Sequence, residues 1–158
     1  MYKRLAFAAV PVVVAAVAAT MSGSMAASAA TADDGPITAV AENVQLAGEV
    51  KQTGKLKVTV HNGTEFQDEG RFLVHMPQTA RLAPGQQCVL YDWNLSQWLC
   101  EGTRLEAGES HTTTLRVRSI LNTTDYHGYD VGYVQGLANS NAKSERLWFE
   151  IHWPAAQQ

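Results

Sequence analysis

Apolar and polar residues alternate along much of this chain with a period of two, the repeat that sends successive side chains to opposite faces of a strand. In residues 55–61, Leu56, Val58 and Val60 share one face, while Lys55, Lys57, Thr59 and His61 share the other. Asn62-Gly63 closes the segment as a turn. Residues 71–75 form a second candidate strand, stopped by Pro77. Residues 88–91 and 97–100 read as two arms of a hairpin around Asp92-Trp93-Asn94-Leu95-Ser96. After a turn at Ala107-Gly108, residues 111–118 alternate again, with Thr113, Leu115 and Val117 facing in and Thr114, Arg116 and Arg118 facing out. Residues 128–136 are aromatic and β-branched, and residues 136–144 form a polar loop. Residues 146–153 carry the strongest alternation, Leu147, Phe149, Ile151 and Trp153 against Trp148, Glu150 and His152.

Beyond the first thirty residues no window of a dozen shows a helical stripe. Short strands at intervals of about 8–12 residues, punctuated by Gly, Pro and Asn, are the pattern of an antiparallel sandwich or small barrel. A parallel α/β sheet needs crossover helices that this sequence does not offer. The β domain is expected over residues 37–154, with a short tail at 155–158.

The N-terminus has a different composition. Lys3 and Arg4 precede an apolar run over residues 5–19, and small residues then lead to Ala27-Ser28-Ala29, an A-x-A site. The run falls short of the roughly 20 residues a membrane-spanning helix needs. The expectation is a signal peptide over residues 1–29 and a secreted, extracellular product with no membrane span in the mature form. The small polar stretch at 30–36 is expected to be a disordered leader. Loss of the signal removes two positive charges and no acid, taking the net charge from −3 to −5. Such a domain repels phosphate backbones, so nucleic acid is not an expected partner.

Cys88 and Cys100 are the only two cysteines. In an exported chain an even count reads as a disulfide, and two cysteines allow one connectivity. A redox pair would want Cys-x-x-Cys spacing at a helix N-terminus, which is absent.

The order of features over residues 54–117 resembles the conserved-repeat, immunoglobulin-like domain of bacterial surface and secreted proteins. An alternating strand ends in Val60-His61-Asn62-Gly63-Thr64, and a later one closes on Met76-Pro77. The cysteine hairpin follows, and Gly102, Leu105, Ala107-Gly108 and Glu109-Ser110 lead into a Thr-rich strand. The resemblance implies an all-β, immunoglobulin-like antiparallel sandwich in an extracellular setting. It implies no catalytic residues, since the family shares none. The stretch at 122–139 is longer and more aromatic than the family's usual next strand.

Candidate chemistry is sparse. The five histidines, His61, His75, His111, His127 and His152, are scattered, without the close spacing of zinc sites. Asp125, His127 and Asp130 form the densest polar cluster, and a metal-dependent secreted enzyme built on residues 125–130 is the alternative reading. No Gly-x-Ser-x-Gly elbow or phosphate-cradling glycine loop occurs in the mature chain. The expectation is therefore no catalytic residues, no metal and no cofactor. Asn62-Gly63-Thr64, Asn94-Leu95-Ser96 and Asn122-Thr123-Thr124 fit the glycosylation pattern but are read as turn chemistry. The aromatics are harder to assign to a core. If the cysteines pair directly across the hairpin, Leu90 and Trp98 share the disulfide's face and Trp93 falls near the tip. Tyr91, Trp93, Asn94 and Trp148 are the candidate contacts for an extracellular protein or polysaccharide. A braced hairpin also suits a secreted protease inhibitor.

Overall fold

The computed structural model describes residues 37–48, 51–121 and 128–154. The expected signal peptide, leader and C-terminal tail lie outside them, as do Asp125, His127 and the third Asn-x-Thr triplet. Among the described residues ten strands follow one another: β1 (Ile37–Ala41), β2 (Val44–Gln45), β3 (Thr53–Asn62), β4 (Arg71–His75), β5 (Ala80–Leu82), β6 (Cys88–Asp92), β7 (Gln97–Cys100), β8 (Ser110–Ser119), β9 (Tyr129–Leu137) and β10 (Leu147–His152). They form a four-stranded sheet in the order β1-β3-β8-β5 and a six-stranded sheet in the order β2-β10-β9-β4-β7-β6. All pairings between these strands are antiparallel except that of the short β2 with β10.

This is an immunoglobulin-like β-sandwich, and strand order shows how. In immunoglobulin lettering the four-stranded sheet reads A-B-E-D and the β10-β9-β4 group reads G-F-C. β6 and β7 extend the second sheet beyond C, as extra strands do in variable-type domains. Here, however, β5 in the D position precedes the added hairpin in the chain instead of following it. The disulfide differs as well. Antibody domains join strands B and F across the two sheets, whereas Cys88 and Cys100 sit directly opposite each other on β6 and β7, with Cα atoms 4.0 Å apart.

The alternation read from the sequence decides which residues fill the core. Leu56, Val58 and Val60 of β3 and Leu115 and Val117 of β8 are buried against Phe72 and Val74 of β4, Val134 of β9 and Phe149 and Ile151 of β10. Each such side chain contributes roughly 1.5–3 kcal/mol by leaving water. At one point the sheets approach so closely that no side chain fits: a Cβ on Gly136 of β9 would lie 2.1 Å from the carbonyl oxygen of Ile37 on β1.

Asn62, expected in a turn, is fully buried at the end of β3. Its amide nitrogen donates to the carbonyls of Phe66, Leu105 and Glu106, and its side-chain oxygen accepts from the Thr64 N–H and hydroxyl. The Asn-Gly-Thr triplet there is a loop clamp, and its asparagine is not exposed as a glycosylation acceptor would be.

Candidate functional site

The register across the six-stranded sheet assembles one transverse row of side chains on its outer face. Trp148 of β10 is opposite Tyr133 of β9, Tyr133 is opposite His75 of β4, and His75 is opposite Gln97 of β7. Gln97 is opposite Asp92 of β6, with a bulge between Leu90 and Asp92, and Tyr91 within that bulge lies beside Lys143 at the end of the row. The interior of the row is locked. His75 stacks on Tyr133 with ring centroids 4.7 Å apart and planes 13° from parallel. The Gln97 amide nitrogen donates to the Tyr133 hydroxyl at 2.7 Å. Trp148 meets Tyr133 edge-on at 5.2 Å.

The two ends of the row are open, with Trp148 62% exposed and Tyr91 55% exposed, while Tyr133 and Gln97 between them are buried. Four strand spacings separate the ends, about 19 Å. The 138–146 segment folds over this face. Ser144 receives the Gln135 amide on its carbonyl and the Gly136 N–H on its hydroxyl, each at 2.8 Å. That segment carries Lys143 to 5.7 Å from the Tyr91 ring centroid, and Arg146 at its end lies 4.8 Å from the Tyr133 centroid. Cations over aromatic faces hold the long side chains beside the row. The Nδ1 atom of half-buried His75 is enclosed without a hydrogen-bond partner. The surface therefore offers two exposed indole and phenol groups, a preformed polar floor and two cations, with little ordering left to do on binding.

The four candidate contacts divide between surfaces. Tyr91 and Trp148 belong to the outer row. Trp93, 80% exposed at the hairpin tip, lines instead an apolar groove of about 440 Å³ between β5 and the β6–β7 hairpin, together with Leu90 and Trp98. Asn94 is exposed at the tip, where its N–H donates to Asp92 at 2.9 Å. Tyr91 and Trp93 are thus near in sequence yet meet different surroundings, Tyr91 beside Lys143 and Trp93 at the groove. Leu90 and Trp98 do share the disulfide's face, and Trp98 packs half-buried against the core. His75, Tyr133, Gln97 and Arg146 were not read from the sequence as contact residues, His75 entering there only as one of five scattered histidines. Only the register across five strands brings them together.

Of the 125–130 cluster, Asp130 is described: its carboxylate accepts from the Thr79 hydroxyl and ties β9 to the turn before β5. A wider, open cleft of about 630 Å³ is lined by Asp68, Glu69, Arg71 and Glu101, among others. Asp68 there is already engaged, accepting the Glu69 and Asn139 backbone N–H groups at 2.6 and 3.1 Å. Among the described residues, no group of three or more His, Cys, Asp and Glu side chains is placed to hold a metal ion.

No family model matches the chain. Nor does any curated protein match it. Solved structures similar to it include a FixG-related protein from Vibrio parahaemolyticus, 10% identical, with a TM-score of 0.47 and coverage of 77% of this chain and 100% of that one. The seventh ScaB type I cohesin from Pseudobacteroides cellulosolvens is 12% identical, with a TM-score of 0.39 and coverage of 75% and 95%. No family-level match supports the resemblance of residues 54–117 to the conserved-repeat domain, whereas strand order and register show the sandwich itself.

Proposed function

We propose that this chain is a secreted, non-catalytic binding module that engages an extracellular protein or polysaccharide through the outer face of its six-stranded sheet. The observation that carries this reading is the transverse row: two exposed aromatics, Trp148 and Tyr91, held at the ends of a buried, hydrogen-bonded floor. Large aromatic side chains on a rigid surface are frequent anchors of partner contacts. Their exposure costs free energy in water that a partner recovers.

Export fits the disulfide, a bond that persists in oxidising compartments. Among the described residues no helix is long and apolar enough to cross a membrane. A binding rather than catalytic role is favoured by how the acidic groups are used, since Asp68 and Asp130 are each committed to holding loops. A direct test is to immobilise the mature, disulfide-intact domain and expose it to secreted and envelope material from its own source. Material retained by the native domain and released by Trp148→Ala supports the reading. Equal retention by both proteins excludes this face.

A further inference from the structure

The groove between β5 and the β6–β7 hairpin is a second surface, independent of the outer row. We propose that it binds an amphiphilic carboxylate, a molecule whose apolar chain lies over Leu90, Trp93 and Trp98 and whose carboxylate meets Arg81 and Arg118. Its volume of about 440 Å³ falls in the range of roughly 300–1,000 Å³ typical of small-molecule sites. Its walls are largely apolar, with Leu82 and Ile120 completing the side opposite the hairpin. Trp93 and Leu90 leave apolar surface facing the opening.

The charges select the ligand class. Among the described residues, Arg81 and Arg118 are the two ionisable ones lining the groove, and no Asp or Glu lines it. They stand directly opposite each other on β5 and β8, an arrangement in which like charges repel. The ion pairs among the described residues involve Lys57, Arg71 and His152, not these two arginines. Arg118 also keeps its Nε buried without a hydrogen-bond partner. Acidic residues outnumber basic ones in the chain, 15 to 12, so an arginine pair with no carboxylate among the described residues of the groove is a local reversal of the overall balance. A ligand carboxylate between the two guanidiniums accepts from their groove-facing N–H groups and screens the repulsion. A broad basic surface would suit a polyanion. Two arginines beside one apolar trough suit a single acid group on an apolar body.

Trp93 and Trp98 line the groove and report occupancy through their fluorescence. The disulfide-intact chain should be titrated with sodium decanoate, decan-1-ol and decyltrimethylammonium, each below its aggregation limit. The expected result is a saturable change in tryptophan emission, with decanoate binding on the order of tenfold more tightly than the alcohol and the cation weakest. In Arg81→Gln/Arg118→Gln the preference for decanoate over decanol should vanish while decanol binding persists. Should the double variant fail to fold, Arg81→Gln alone, at an exposed position, should reduce the preference in the same direction. Equal affinity for all three ligands, an unchanged preference in the folded variant, or no saturable response to decanoate overturns the assignment.

Discussion

Asn62 shows how much one polar side chain can carry in this domain. Its amide reaches three backbone carbonyls from a fully buried position, and a buried acceptor left unpaired costs about 1–3 kcal/mol. Asn62→Ala should therefore lower stability by on the order of 3 kcal/mol, read as a clear fall in the denaturant midpoint. Trp93 is the opposite case. With its ring 80% exposed, Trp93→Ala should change folding stability by no more than about 0.5 kcal/mol. Trp98 differs again, packed against the core beside the disulfide, and Trp98→Ala should cost about 3 kcal/mol. Melting curves of the two tryptophan variants side by side separate a surface residue from a structural one.

Among the elements, the β6–β7 hairpin depends most on covalent support. It lies at the edge of the six-stranded sheet and is interrupted by the bulge after Leu90. Its cross-strand disulfide closes a short loop, worth roughly 3 kcal/mol on the chain-entropy model. Replacing both cysteines with alanine should lower the denaturation midpoint by about that amount, and hydrogen exchange should rise first in β6 and β7. A midpoint that does not move would remove the hairpin from the account of stability. Where alternation was long, the sequence was readable: β3, β8 and β10 turn inward the residues their patterns indicated, with Thr113 and Leu147 only half-buried. β1, β2 and β5 were not anticipated, because two to five residues rich in alanine or cut short by turns carry too few periods to show one. The aromatic residues of the outer face were equally visible in the sequence. Their alignment was not, since a row crossing five strands depends on registers that no single segment encodes.

At the scale of the whole molecule, a closely packed sandwich presents two unlike surfaces. The sheets approach tightly at Gly136, and Gly136→Ala should destabilise the fold by on the order of 3 kcal/mol because its Cβ meets the Ile37 carbonyl. That rigid frame lets Trp148 and Tyr91 stay exposed about four strand spacings apart, while Tyr133, His75 and Gln97 hold the floor between them. The central claim is that this row is where the partner lies. It is tested most directly by measuring, for native protein and Trp148→Ala/Tyr91→Ala, both affinity for the captured partner and the melting midpoint. The row predicts an affinity loss of at least about 2 kcal/mol with a melting midpoint close to that of the native protein. Undiminished affinity in the folded double variant, or a loss of binding that only follows a collapse in melting temperature, would contradict it.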